Sequence, residues 1–137
     1  MNTLNALNLN DWHNRIIAVV EDEDSNYLFL GTLIGRTGAQ VVWFKNGEEI
    51  CNYLIDANNR SFDVILMDLK MPVMDGYDAL IFIRSKLPHI PVIAQTAQTQ
   101  NADIKRIVAA GFDDYVVKPI QAKQLLDKIA KFLVVEN

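Results

Sequence analysis

From Arg15 onward, short apolar runs rich in β-branched residues alternate with longer stretches whose apolar positions recur at helical spacing. The strand candidates are RIIAVV (15–20), AQVVWF (39–44), FDVILM (62–67), IPVIAQ (90–95) and DYVVK (114–118). Pro91 is compatible with the fourth only at its start. The first helical stretch, 24–38, has Leu30, Leu33 and Ile34 on one side, Asp24 or Ser25 as its expected N-cap, and Gly38 where a helix stop belongs. The second, 46–59, opens on Asn46 with Glu49 three residues on, the spacing of a capping box. The third, 75–87, starts on Asp75 and places Leu80, Ile83 and Leu87 together. The fourth, 101–111, ends on a glycine, and the last, 121–133, turns Leu125, Ile129 and Phe132 or Leu133 inward.

Strands that are apolar throughout are buried on both faces. Five of them, each followed by a helix, predict an α/β fold with a parallel sheet covered on both sides by helices. The crossovers are right-handed. In such sheets ligands bind beyond the carboxyl ends of the strands.

The composition narrows the function. The chain has 137 residues, half of them hydrophobic, which suits one domain with a packed core. Its net charge of −4 argues against direct nucleic-acid binding. The single Cys51 reads as a small buried hydrophobe, and with two His a structural zinc site is not expected. No segment has the length of a membrane anchor; YLFLGTLIG (27–35) is too short. Its Gly31 and Gly35 form a GxxxG spacing, read as a helix lying close on a sheet rather than as a membrane dimer motif. Residues 1–14 lack the features of a signal peptide and read as a tail or linker ahead of a domain covering 15–137.

The carboxyl ends of the strands carry the chemistry. The first strand runs into Glu21-Asp22-Glu23-Asp24, the third into Asp68, the fourth into Thr96 and the fifth into Lys118-Pro119. In a parallel sheet these groups meet at one edge. Two carboxylates about 4 Å apart repel by roughly 4 kcal/mol at an effective dielectric near 20. A hard divalent cation held by carboxylates, a carbonyl and waters, the preference of Mg²⁺, relieves that repulsion. Acids after strands also serve as helix caps, so it is the convergence of four strand ends that points to a site.

Those motifs resemble the receiver domain of two-component response regulators. VVEDEDSN is similar to the family's acidic pair, ILMDLKMPVMDG to its phosphoacceptor strand and loop, AQTA to its hydroxyl-bearing strand end, and AGFDDYVVKPI to its aromatic strand and Lys-Pro element. The resemblance implies a flavodoxin-like (βα)5 three-layer sandwich with strand order 2-1-3-4-5, an order for which such domains serve as a standard example. It also implies that Asp68 takes a phosphoryl group from a phosphohistidine. Mg²⁺ would be held by Asp22, by Glu21 through water, by Asp68 and by the backbone carbonyl of Lys70. Lys118 would pair with the phosphoryl oxygens, and Thr96 would donate its hydroxyl to them. Tyr115 would be the aromatic switch, and Lys118–Pro119 a cis peptide. Output would pass through the fourth helix, fifth strand and fifth helix.

The motif wording is most like receivers of hybrid sensor histidine kinases, with a stand-alone regulator as the other architecture. The implied partner is a histidine kinase or histidine phosphotransfer protein, without direct contact to nucleic acid or membrane. The implied location is cytoplasmic, and the implied state a monomer or weak homodimer, since QAKQLLDKIAKFL has Lys where dimerising members have Arg. No DNA-binding or enzymatic output domain is expected within the chain. Glu21 stands where the family most often has Asp. Lys70 has two readings: an ammonium close to the acids that alters Mg²⁺ affinity and phosphoryl lifetime, or a solvated loop lysine. Two other functions compete: an aspartate-based phosphatase, opposed by the expected use of Asp75 as a helix cap, and a pseudo-receiver that binds proteins without being phosphorylated.

Overall fold

The β-branched runs form five strands and the amphipathic stretches five helices in a computed structural model that describes residues 11–97 and 100–133. In chain order these are β1 (Ile16–Val20), α1 (Asp24–Gly35), β2 (Gln40–Phe44), α2 (Gly47–Ile55), β3 (Val64–Asp68), α3 (Gly76–Lys86), β4 (Val92–Thr96), α4 (Asn101–Ala110), β5 (Asp114–Val117) and α5 (Ala122–Phe132). All strand pairs are parallel, and the order is β2-β1-β3-β4-β5, as the resemblance implied.

Alternating side chains of the central strands feed two cores. Ala18, Val20, Ile65, Met67 and Ala94 pack with Ile50 of α2, Leu80 and Ile83 of α3 and Ile107 of α4. Ile17, Val19, Leu66 and Ile93 pack on the other face with Leu30 and Ile34 of α1 and Leu125 and Ile129 of α5. Each fully buried Leu or Ile contributes about 1.5–3 kcal/mol. The sheet is therefore held rigidly from both sides, and so are the groups at its carboxyl edge.

Several local expectations hold and several shift. Asn46 caps α2 by accepting from the Glu49 N–H at 3.0 Å, but the Glu49 carboxylate reaches back to the N–H of Lys45 rather than to that of Asn46. Asp75 caps α3 through the Asp78 N–H. Gly111 ends α4 in the left-handed conformation, φ +103°. Neither Asp24 nor Ser25 caps α1; Glu23 occupies that position without a side-chain cap bond, and its carboxylate accepts from Asn26 instead. α1 stops at Gly35, and Gly38 takes φ +93° in the turn that follows.

The GxxxG reading is corrected. A Cβ on Gly31 would meet the Tyr27 ring at 3.0 Å, and one on Gly35 would meet no atom of the described residues within 4 Å, so neither glycine brings α1 close to the sheet. Gly31 instead clears space for Tyr27, which stacks on Trp43 of β2 at 4.2 Å between ring centroids. Trp12, read as part of the N-terminal tail, is buried in the α1–α5 core, and its backbone N–H donates to the Thr37 carbonyl. Residues 1–10 of that tail lie outside the described residues. Lys118–Pro119 is cis.

Candidate functional site at the carboxyl edge of the sheet

β3 is buried along its whole length and delivers Asp68 as its last residue. Val20 of β1 is abreast of Met67, so Glu21, one residue further, comes level with Asp68; on the other side Asp68 is abreast of Gln95. Parallel register thus lines up a carboxylate, a second carboxylate and an amide across three strands. The turn after β5 adds Lys118, whose N–H donates to the carbonyl of Thr96 at 2.8 Å.

Glu21, Asp22 and Asp68 each offer a carboxylate oxygen within 4.8 Å of the others. Lys118 Nζ lies 3.1 Å from Asp68 Oδ1. Asp68 also accepts from the N–H of Lys70 at 3.3 Å. Glu21 is fully buried; one oxygen accepts from the Glu23 N–H at 3.2 Å, and the other, Oε1, has no hydrogen-bond partner among the described residues. Burial, and after it the charge of Asp68, push the Glu21 carboxyl up to about 7. The Glu21 carbonyl accepts from the Trp43 indole N–H at 2.7 Å, which ties the end of β1 to β2.

The donor set fits a hard cation. Three crowded carboxylates, one with an orphaned buried oxygen and a raised pKa, form an all-oxygen cluster whose charge is met in direct contact, among the described residues, by the Lys118 ammonium alone.

A cleft of about 260 Å³ opens over this edge, with Asp68, Thr96 and Lys118 in its lining. Thr96 is buried at the end of β4. Lys70 lines the same cleft with an exposed side chain, and among the described residues its ammonium makes no ion pair with the acids. Asp75 reaches the cleft lining while its carboxylate caps α3. Tyr115 is apart from this group. It is half-buried on β5 against the α2–α3–α4 core, with Lys128 Nζ 4.7 Å from its ring. Burial pushes the Cys51 thiol up to about 11, which keeps it a protonated hydrophobe.

Three groups at the edge escaped the sequence reading. Gln95 could have been flagged as the one amide in an otherwise apolar strand beside Thr96. Trp43 gave no local hint of its bond to Glu21. Tyr77 of α3 and Arg106 of α4 line the cleft as a stacked pair, the guanidinium 4.0 Å from the ring centroid, a juxtaposition that only the tertiary structure creates.

Comparison with known proteins agrees with this geometry. The response regulator receiver domain family matches residues 17–130. Hybrid signal transduction histidine kinase I of Dictyostelium discoideum is 34% identical over 119 residues, covering 82% of this chain and 7% of that protein. Sensor protein GacS of Pseudomonas syringae pv. syringae is 32% identical over 121 residues, covering 85% of this chain and 13% of its own. The chain thus spans a small fraction of these relatives. Among solved structures, the receiver domain of sensor histidine kinase PA1611 from Pseudomonas aeruginosa PAO1, with a magnesium ion coordinated in its active-site cleft, superposes with a TM-score of 0.76 at 29% identity, over 87% of this chain and 97% of that one. The BeF3-activated DrrB receiver domain gives 0.77 at 28%, with the same coverages. Sequence match, strand order and the acidic edge together make this chain a member of the response regulator receiver family, a receiver domain of two-component phosphorelay signalling.

Proposed function

We propose that Asp68 is the phosphoacceptor. The observation that carries this is the contact of Lys118 with Asp68 at 3.1 Å beside an acid trio gathered within 4.8 Å. An Asp68 carboxylate oxygen attacks the phosphorus of a phosphohistidine. The P–N bond breaks, and the freed imidazole leaves with its electron pair and takes a proton from solvent. Such transfers depend on positioning and charge neutralisation. Asp68 is positioned by a strand buried on both faces, and Lys118 compensates charge on the equatorial oxygens. Carboxylates of Glu21, Asp22 and Asp68, with the Lys70 carbonyl, would hold Mg²⁺. When bound, the ion neutralises the acids and the incoming phosphoryl charge. Its presence in the active-site cleft of the PA1611 receiver supports that choice of metal.

Thr96, at the end of β4 beside the cleft, donates its hydroxyl to the acquired phosphoryl group, and Tyr115 on β5 changes rotamer in response. The α4–β5–α5 face carries the output. The donor is a histidine kinase or histidine phosphotransfer protein, the setting cytoplasmic, and the receiver unit is preceded by a tail or linker within residues 1–14. Among the described residues no helix is long and apolar enough to cross a membrane.

Incubation with Mg²⁺ and phosphoramidate, read by intact mass, tests the proposal. A labile phosphoryl adduct in the wild type that is missing from Asp68→Asn is the expected result. Steady turnover of a phosphoester would instead identify a phosphatase, and no adduct under any donor would identify a pseudo-receiver.

A further inference from the structure

Arg106 of α4 borders the same cleft as Asp68, Thr96 and Lys118. Its side chain is exposed, and its guanidinium carbon lies 4.0 Å from the centroid of the Tyr77 ring. That ring is itself seated. Tyr77 is half-buried against the α2–α3–α4 core and meets Phe112 edge to face, with 5.8 Å between centroids and 78° between planes. A surface arginine ordinarily samples many rotamers; stacking on a fixed ring restrains this one.

The stack uses the face of the guanidinium and leaves its N–H groups at the edge. Among the described residues none of them has an ion-pair or hydrogen-bond partner. Such a planar fork matches two oxygens of a phosphoryl group with two parallel charge-assisted bonds. Lys118 is already engaged with Asp68 at 3.1 Å. Lys70 also borders the cleft, but its ammonium is a point charge on a flexible stem, with no ring beneath it among the described residues. We propose that Arg106, held on Tyr77, is an anion-binding residue that takes phosphoryl oxygens of the incoming donor in the cleft and holds them for attack by Asp68. Lys118 thus serves the acceptor and Arg106 the donor. The identity of the anion rests on the phosphoacceptor reading; the presence of an anion site at Arg106 does not.

Two measurements separate those parts. Inorganic phosphate, titrated with Mg²⁺ into ¹⁵N-labelled Asp68→Asn, should shift the Arg106 Nε–H signal saturably. Adding Arg106→Gln, with folding verified by the backbone amide spectrum, should weaken phosphate binding about fivefold, and Arg106→Lys should weaken it less. In the protein with Asp68 intact, adduct formation is followed against phosphoramidate concentration. Arg106→Gln should raise the half-saturating concentration about fivefold, more than it lowers the limiting rate. Tyr77→Phe, which keeps the ring, should behave as wild type, and Tyr77→Leu should move toward Arg106→Gln. No saturable shift at Arg106, or equal phosphate affinity with and without its guanidinium, overturns the proposal and leaves the stack as packing between α3 and α4. Phosphate binding that depends on Arg106 in a protein forming no adduct would sustain the anion site and overturn the phosphoacceptor reading instead.

Discussion

Lys118 Nζ and Asp68 Oδ1 stand 3.1 Å apart, with 5% of the Asp68 side chain and 26% of the Lys118 side chain exposed. The pair joins the central strand to the turn after the edge strand. Removing one partner of a fully buried pair costs about 3–5 kcal/mol, and the exposure of Lys118 reduces that here. Lys118→Ala is therefore expected to lose about 1–3 kcal/mol of stability in metal-free buffer. It should also slow adduct formation from phosphoramidate at least tenfold. Urea unfolding and intact-mass kinetics measure the two; unchanged stability would remove the structural part of the argument.

Glu21 makes metal-free stability depend on pH. Its folded pKa, about 7, lies above its ordinary 4.5. The folded state therefore binds the proton more tightly, and the stabilisation present below pH 4.5 is lost as pH rises through 7. The loss is on the order of 3 kcal/mol. Asp114 acts oppositely in a separate window: Lys131 and Lys128 hold its carboxyl below 3.8 against the effect of its burial, so its contribution is lost only in more acidic solution. Denaturation in EDTA between pH 4.5 and 8 should show falling stability in the wild type and a flat profile in Glu21→Gln. Saturating Mg²⁺ should abolish the slope, since a bound cation keeps Glu21 ionised.

Trp43 is an internal reporter of the acid cluster. Its indole donates to the Glu21 carbonyl, and its ring lies between Tyr27 and the Lys45 ammonium, 5.0 Å from the ring centroid. Mg²⁺ titration should change tryptophan emission saturably in the wild type but not in Trp43→Phe. The signal should survive in Trp12→Phe, because Trp12 lies ahead of β1, at the end of the sheet opposite the acids.

Gly76 sits directly behind the acceptor. A Cβ there would come within 2.7 Å of the Asp68 carbonyl oxygen and 3.0 Å of Leu69 Cα, both backbone atoms that cannot rotate aside. Gly76→Ala is expected to destabilise by about 1–3 kcal/mol, as overpacking does. It should slow adduct formation through displaced backbone. Thermal unfolding decides; wild-type stability would mean that the loop yields freely.

Val73 adopts φ +70°, a conformation that β-branched residues avoid, and its side chain is exposed. Val73→Gly should relieve strain of order 1 kcal/mol, partly offset by greater chain entropy when unfolded. A small rise in unfolding midpoint is the expected reading, and a fall of similar size would show that the loop needs a stiff residue.

Much of the fold was legible along the chain because burial on both faces leaves an unmistakable trace. VILM before Asp68 and IIAVV before Glu21 have no polar interruption, so they belong in the middle of a parallel sheet. Helix boundaries were less legible. The cap of α1 moved to Glu23 because, in EDEDSN, four acids in a row compete for one position. The glycine pair in α1 misled because spacing alone does not say which side of a helix meets a neighbour; Gly31 answers to Tyr27 and the ring of Trp43.

The sequence by itself determined that this chain is a doubly covered parallel sheet with acids, a hydroxyl and a lysine at its strand ends. Local pattern encodes burial, and strand direction then collects the ends. Only the tertiary structure decided what each group meets. Register between β1, β3 and β4 put Glu21, Asp68 and Gln95 in one row, giving Glu21 its raised pKa and leaving the Gln95 amide without a partner among the described residues. Those properties depend on desolvation and on charges contributed from more than forty residues away along the chain, which no local pattern records.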